Sequence, residues 1–168
     1  MNIEIRKEVA NDVEAIDAVT TAAFLAVPHT DHTEQFIVKA LRKAGKLTIS
    51  LVAEVGEVVV GHVAVSPVSI SDGTSGWYGL GPISVTPAYQ GQGVGSRLMG
   101  EALRALRESG ASGCVVLGEP GYYGRFGFRA ESGLVLPNVP PEYFQALSFG
   151  AAMPCGTVSY DESFSAQA

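Results

Sequence analysis

Apolar residues repeat along this chain with the two periods that distinguish strands from helices. Residues 3–5 alternate apolar and polar as in a short strand. Helical spacing then runs to about Phe24, with Asp12 as a candidate cap. A second stretch with helical spacing covers residues 33–44, where Thr33 stands at the capping position. The beginning of the chain therefore predicts one strand followed by two helices.

The middle of the chain is rich in β-branched residues. Two such runs, 47–55 and 58–70, are separated by a Gly-Glu pair and predict an antiparallel hairpin, and a turn then leads into a third strand at 77–85. The tail is less regular, because a proline-rich excursion at 134–144 precedes a final predicted strand at 156–164. These segments predict a mostly antiparallel sheet.

A glycine-studded turn links the third of these strands to an amphipathic helix at 96–110, and a short apolar strand at 114–117 follows. Strand, turn, helix and strand form a right-handed crossover unit, which places the turn at the carboxyl end of a strand. Gly91, Gly93 and Gly95 leave the turn with few side chains, so backbone N–H groups are free to face an anion at the positive end of the helix. The turn therefore predicts an anionic cofactor.

Two common phosphate-binding loops do not fit this turn. A nucleoside-triphosphate loop requires a lysine and a hydroxyl residue after its last glycine, but Gly95 is followed by Ser96 and Arg97. A dinucleotide fingerprint requires a third glycine three places after Gly93, where Ser96 stands. The segment Gln90-Gly-Gln-Gly-Val-Gly instead resembles the Gln/Arg-x-x-Gly-x-Gly/Ala signature of the GNAT superfamily of acetyl-coenzyme A dependent N-acetyltransferases.

A second element supports the resemblance. The segment Pro120-Gly-Tyr-Tyr-Gly-Arg-Phe-Gly-Phe is similar to the family's Tyr-x-x-x-Gly-Phe element, with Tyr123 as its tyrosine, and to a branch of bacterial N-acetyltransferases. The resemblance implies an α/β fold with one domain over residues 1–168. Its mixed, mostly antiparallel sheet of about six to seven strands is expected to be flanked by helices in the order β-α-α-β-β-β-α-β-α-β.

The resemblance also implies acetyl-coenzyme A as the co-substrate, and no metal. The pyrophosphate is expected over the N–H groups from Gly91 to Ser96, and the pantetheine arm along a strand that Pro82 allows to splay. The residues expected to contact the coenzyme are Ile83, Ser84, Val85, Gln90, Gly91, Gln92, Gly93, Val94, Gly95, Ser96 and Phe126. Arg97 and Arg125 are candidates for contacts with its phosphates, or with water alone.

Acetyl transfer by direct attack of a neutral amine requires a donor for the oxyanion and a proton for the thiolate. Backbone N–H groups between Ile83 and Val85 are expected to donate to the oxyanion. Tyr123 is the expected general acid, with Tyr122 as the alternative, because a phenol pKa of ~10 lies above the ~8.5 of a thiol. Glu119 is the candidate base, unless its charge only complements a helix N-terminus. Further base candidates are Glu54, Glu57 and His62.

Composition restricts the partners. A net charge of −6 and the lack of a basic run argue against nucleic acid. No apolar run approaches the ~20 residues of a membrane span, and the start does not resemble a signal peptide, so a cytoplasmic protein is expected. Cys114 and Cys155 are expected to be reduced thiols. The His29-x-x-His32 segment is expected to be solvated rather than metal-binding.

Two functions fit the sequence. One is an active N-acetyltransferase acting on a primary amine of a small molecule or a peptide. The other is a relative that binds acyl-coenzyme A without turnover, as a sensor or interaction protein. The sequence leaves open the identity of the acceptor and the oligomeric state, with a homodimer as one option, since specificity resides in loops.

Overall fold

The computed structural model describes residues 1–25, 27–28 and 30–168. These residues form eight strands and four α-helices, joined in places by short 3-10 turns. The strands are β1 (Glu4–Lys7), β2 (Ile49–Val55), β3 (Val58–Ile70), β4 (Trp77–Val85), β5 (Gly113–Leu117), β6 (Leu134–Val135), β7 (Phe144–Ser148) and β8 (Gly156–Tyr160). The helices are α1 (Val13–Leu25), α2 (Glu34–Lys43), α3 (Val94–Glu108) and α4 (Pro120–Tyr123).

The strands form one mixed sheet in the order β1-β2-β3-β4-β5-β7, and β8 pairs with β3 and β6 outside this path. Paired strands are antiparallel except β4 with β5 and β6 with β8. Helix α3 makes the crossover between the parallel strands β4 and β5, which a short turn does not span. The turn that opens α3 therefore lies at the carboxyl end of β4, as predicted.

Helices cover both faces of the sheet. Leu51 of β2 packs in one core cluster with Leu98 of α3. The next residue, Val52, packs instead with Ile16 of α1 and Val38 of α2. Because successive strand residues point to opposite faces, α3 covers one face and α1 with α2 covers the other.

The predicted order of elements is confirmed from β1 through α4, and the element ends agree to within about two residues. Thr33 occupies the N-cap position of α2 as predicted, although its side chain makes no capping hydrogen bond within the described residues. The other capping prediction is wrong. The Asp12 carboxylate accepts the N–H of Val9 at 2.7 Å and two bonds from the Arg6 guanidinium, so it anchors β1 rather than capping α1.

The tail differs most from the prediction. Strand β7 was not predicted, although it pairs with β5 along its whole length. The final strand ends at Tyr160 because the Asp161 carboxylate accepts the Ser163 N–H at 3.0 Å and starts a 3-10 turn. Among the described residues, no helix combines the length and the apolar character that crossing a membrane requires.

Candidate active site

The turn between β4 and α3 presents a row of backbone donors. Gly91 and Gly93 have φ angles of 76° and 88°, a region that L side chains rarely adopt, and they turn the chain into α3. Arg97 is the first residue of this segment whose N–H enters the helix, donating to the Gly93 carbonyl at 3.1 Å. Within the described residues, none of the N–H groups from Gly91 to Ser96 donates to a protein acceptor.

The side chains of Gln90 and Gln92 brace the turn. Gln90 donates from Nε2 to the Val85 carbonyl at 2.9 Å, which ties the turn to the end of β4. Gln92 donates from Nε2 to the Ala88 carbonyl at 3.2 Å. The side chain of Val94 is buried in the α3 core cluster. Gln92 and Val94 therefore offer only their backbone N–H groups to a ligand.

A cavity of about 360 Å³ lies directly over these donors. A Cβ added to Gly95 would lie 3.2 Å from the Tyr122 hydroxyl, so the glycine leaves room for this hydroxyl beside the cavity. The Arg125 guanidinium covers the Tyr122 ring, with 4.7 Å between Cζ and the ring centroid, and donates to Ser96 Oγ at 2.9 Å. The lining residues are Val85, Tyr89, Gln90, Gly91, Gly93, Gly95, Ser96, Tyr122 and Arg125. Helix dipole and guanidinium together favour an anion here.

The sheet opens beside this cavity. The β4–β5 ladder pairs residues 77–79 with 113–115 and ends there, whereas β4 continues to Val85 along β3. Gly81 and Pro82 of β4 stand opposite the single residue Ala64 of β3, which makes a bulge at the point of separation. The expectation that Pro82 marks a splayed sheet is confirmed.

The free edge of β4 carries backbone donors of its own. The Thr86 N–H donates to the Val60 carbonyl at 2.8 Å, toward β3. Because N–H groups alternate along a strand, those of Val85 and Ile83 point away from β3, toward the opening. The Ser84 N–H points toward β3, and the residue is 2% exposed. Ile83 and Val85 also line an adjoining cavity of about 250 Å³ at the end of α1.

Tyr123 of α4 packs against the end of β5, and it is not among the residues that line either cavity. A Cβ on Gly118 would lie 2.5 Å from its ring, so the glycine after β5 allows this close approach. The ring meets Tyr122 edge to face, with 5.0 Å between centroids, and Phe128 at 6.2 Å. Burial raises the pKa of Tyr123 to about 12, and the neighbouring Tyr122 adds to the effect. Its phenol is therefore protonated at neutral pH.

Comparison with known proteins decides the family. Residues 46–130, half of the chain, match the family model described as an acetyltransferase (GNAT) domain. The chain is also 39% identical over 126 residues to the uncharacterized N-acetyltransferase YhbS of Escherichia coli K12, covering 74% of this chain and 72% of YhbS. The chain belongs to the GNAT acetyltransferase family.

Two solved GNAT structures resemble the whole chain. A GNAT acetyltransferase from Brucella melitensis, solved in complex with acetyl-coenzyme A, is 50% identical and superposes with a TM-score of 0.87, covering 97% of this chain and 98% of that one. YhbS from Escherichia coli, solved in complex with coenzyme A, is 34% identical with a TM-score of 0.86, covering 98% and 93%. The predicted GNAT fold is confirmed.

The carboxylates considered as bases lie in different surroundings in this GNAT chain. Glu119 is exposed at the N-cap of α4, and its carbonyl accepts the N–H groups of Tyr122 and Tyr123 at 3.1 Å. Glu54 is engaged by Arg6 at 2.6 Å, and Glu57 is exposed at the tip of the β2–β3 hairpin. Glu54 is therefore paired with an arginine and Glu57 lies at the hairpin tip, whereas Glu119 adjoins Tyr122 and Tyr123 through its backbone.

Other predicted contacts of the GNAT site fall elsewhere. Phe126 lines neither of these two cavities but packs against Tyr122, with 5.6 Å between the ring centroids and the rings tilted by 59°. Arg97, one of two arginines near the turn, donates to the Ile3 carbonyl at 2.7 Å, so it holds β1 instead. His29 lies outside the described residues, and within them no three His, Cys, Asp or Glu side chains form a potential metal site.

The sequence named Arg125 as a candidate contact of the phosphates, and Arg125 lines the anion cavity. It did not single out Tyr122 and Tyr89 as lining residues, and Tyr122 was considered only as an alternative acid. The position of these tyrosines in the sequence could have indicated them, because Tyr122 precedes Tyr123 within the second family motif and Tyr89 directly precedes the first.

Proposed function

We propose that this chain transfers the acetyl group of acetyl-coenzyme A to a primary amine of a small molecule or a peptide, by direct attack of the amine on the thioester. The observation that carries the proposal is the run of backbone donors from Gly91 to Ser96, which have no protein acceptor among the described residues. Consecutive N–H groups at a helix N-terminus suit a diphosphate. A relative similar along almost the whole chain was solved with acetyl-coenzyme A, which supports the same ligand here.

In this proposal the N–H groups from Gly91 to Ser96, with Arg125 beside them, bind the diphosphate. The free edge of β4 positions the pantetheine arm. The N–H groups of Ile83 and Val85, which point toward the opening, stabilise the oxyanion that develops during attack. These donors are fixed by the β3–β4 ladder, so they need little reorganisation in the transition state.

Tyr123 supplies the proton that the departing thiolate needs. A protonated phenol with a raised pKa stays available as a donor across the neutral range. Hydrogen bonding to the sulfur improves a thiol leaving group whose own pKa is ~8.5. Glu119 is the carboxylate closest in sequence to this acid and is the proposed first acceptor of the amine proton at the surface of the cleft.

The experiment is release of free thiol from acetyl-coenzyme A by the purified protein in the presence of pooled primary amines. We expect thiol release that depends on both amine and protein. Tight binding of acetyl-coenzyme A without amine-dependent release would contradict the transferase and favour the binding-only alternative.

A further inference from the structure

A cavity of about 590 Å³, here called the tail cavity, lies in the proline-rich segment near the end of the chain. Its volume is within the range of small-molecule sites. Most of its walls are apolar, and the lining residues are Ala130, Glu131, Ser132, Leu134, Val135, Leu136, Val139, Pro141, Glu142 and Phe144. This lining is distinct from that of the cavity over the backbone donors of α3. The tail cavity is therefore a separate space from the proposed diphosphate site.

The wall of the tail cavity is fixed to the end of β5. The Gly118 N–H donates to the Tyr143 carbonyl at 2.9 Å, and Gln145 Nε2 donates to the Gly118 carbonyl at 3.1 Å. Gln145 is buried, so its hydrogen bond is shielded from water. Gly118 is also the residue against which the Tyr123 ring packs. The residue that follows β5 therefore holds both the tail cavity and the proposed general acid.

An exposed leucine connects the tail cavity with the opening of the sheet. Phe144, which lines the cavity, is paired with Leu117 in the β5–β7 ladder, so their side chains share one face with Cβ atoms about 4.5–5.5 Å apart. Leu117 lies beyond Val115, the last residue of β5 that pairs with β4, and it therefore borders the opening. Its exposed fraction is 46%. An apolar path that crosses one strand thus leads from the cavity to the opening.

This path lies on the face of the sheet opposite to α3. Val115 packs with Phe144 in one core cluster, and Leu117, two residues further along β5, points to the same face. Tyr122 and Tyr123 pack against the other core cluster, on the face that α3 covers. A molecule in the tail cavity therefore approaches the opening from the face opposite to the proposed diphosphate site.

The smaller cavity at the end of α1 is the alternative place for an acceptor. It shares Val85, Gln90, Gly95 and Tyr122 with the cavity over the backbone donors. A coenzyme bound at those donors occupies the shared space, so the cavity at α1 belongs to the path of the coenzyme. The tail cavity is therefore the better space for the acceptor.

The charged residues of the tail cavity are both acidic. Glu131 is paired with Arg129 at 3.1 Å. Glu142 is exposed and has no ion pair within the described residues. Repulsion by its negative charge disfavours a ligand that carries a carboxylate at this end.

We propose that the tail cavity binds the body of the acceptor, and that the acceptor is a primary amine with an apolar body and no carboxylate. This inference rests on the proposed function, for which it names the class of the amine. The apolar body packs among Leu134, Val139 and Phe144, which already lie together in one cluster. The chain crosses Leu117, and the amine lies in the opening between β4 and β5.

Acceptors of different length test this assignment. Ethylamine reaches the opening alone, whereas octylamine is long enough to cross β5 as well, since neighbouring strands lie about 4.8 Å apart. Both carry the same reacting group, so a difference in kcat/KM reports contacts of the chain. The analogue ω-aminooctanoate has the same chain with a carboxylate at its far end. Initial rates with acetyl-coenzyme A are measured for the three amines, together with acetyl-coenzyme A affinity.

Replacing Val139 tests the cavity away from the cleft. Val139→Trp fills part of the tail cavity, whereas Val139→Ala leaves it open. Val58→Trp is the matched control, because Val58 is an exposed valine at the start of β3, beside the β2–β3 hairpin tip.

We expect the wild type to show a kcat/KM at least about tenfold higher for octylamine than for ethylamine, the scale of a methylene bound in an apolar pocket. The value for ω-aminooctanoate should be lower than that for octylamine by about threefold or more, the scale of an exposed charge pair. Val139→Trp should raise the KM for octylamine and remove its advantage, with ethylamine turnover and acetyl-coenzyme A affinity unchanged. Val139→Ala and Val58→Trp should keep most of the preference.

Equal kcat/KM for ethylamine and octylamine in the wild type, or a preference for octylamine that Val139→Trp leaves unchanged, would overturn the tail cavity as the acceptor site while leaving the transferase intact. Equal values for octylamine and ω-aminooctanoate would overturn the exclusion of carboxylates. A wild-type protein that binds acetyl-coenzyme A but acetylates neither these amines nor the pooled amines would overturn the proposed function, and this inference with it.

Discussion

The close packing of the Tyr123 ring supports its proposed role as a general acid. Its ring lies against Gly118, where a side chain would collide with it, and Tyr122 and Phe128 enclose its edges. Burial of this kind disfavours the phenolate and keeps the proton on oxygen. The same packing explains why a phenylalanine is expected to fit at this position.

Removing the Tyr123 hydroxyl should therefore affect chemistry more than binding. We expect Tyr123→Phe to lower kcat by about 10²-fold, within the range of a lost general acid, with acetyl-coenzyme A affinity changed by less than about threefold. Tyr143→Phe, at a tyrosine that is 40% exposed, is the matched control. Steady-state kinetics and calorimetric titration measure the two effects, and an unaltered kcat in Tyr123→Phe would exclude it as the acid.

Asp12 illustrates a residue that stabilises the fold rather than the site. The Arg6 guanidinium at 2.7 Å holds the pKa of Asp12 at about 2, below the ~3.9 of an unfolded chain. A lowered pKa stabilises the fold at pH above the unfolded value, and the contribution is lost as pH falls through the folded value.

We expect this carboxylate to contribute about 2 kcal/mol to the free energy of unfolding at neutral pH. Urea unfolding of the wild type and of Asp12→Asn should give a difference that is full above about pH 5 and shrinks toward about pH 2. A difference that stays constant over this range would show that the ion pair does not carry it.

At the scale of elements, the proposed coenzyme site lies at the first turn of α3. Gly91 and Gly93 turn the chain so that donors face outward, and Gly95 leaves room between α3 and Tyr122. A glycine later in the same helix, Gly100, is exposed and has nothing within 4 Å of an added Cβ. Substitutions at Gly95 and Gly100 therefore distinguish an effect on ligand binding from an effect on helix stability.

Leucine at each of these glycines should have different consequences. We expect Gly95→Leu to weaken acetyl-coenzyme A binding by at least about tenfold, because the side chain enters the cavity over the donors, a loss of ~1.4 kcal/mol. Gly100→Leu should bind normally and be slightly more stable, since leucine favours helix over glycine. Equal affinities of the two variants in calorimetric titration would place the coenzyme elsewhere.

The elements that sequence predicts best are those whose signals are local. The hairpin, α3 and its glycine turn follow from periodicity and glycine spacing within short segments, and the structure places them as predicted. Strand β7 was missed because Phe144–Ser148 follows a proline-rich segment and becomes a strand only through pairing with β5.

At the scale of the whole molecule, one sheet connects every element of the site. Strands β4 and β5 form the opening, α3 and α4 flank it, and β7 supports β5 from the far side. The similarity to a GNAT acetyltransferase of Brucella melitensis extends over 97% of the chain. We therefore expect one cooperative unit over residues 1–168.

Calorimetry tests this cooperativity. We expect one unfolding transition in which the calorimetric and van't Hoff enthalpies agree. Acetyl-coenzyme A at about 100 times its dissociation constant should raise the free energy of unfolding by ~2.7 kcal/mol. Two transitions, only one of which responds to the coenzyme, would contradict a single domain.

The most direct test of the central claim observes the backbone donors themselves. Amide resonances of the ¹⁵N-labelled protein are recorded with coenzyme A and with pantetheine, which lacks the diphosphate. We expect the N–H signals from Gly91 to Ser96 to move strongly with coenzyme A and little with pantetheine, since hydrogen bonds to a phosphate shift amide protons. Saturating coenzyme A that leaves these six signals in place would contradict the account.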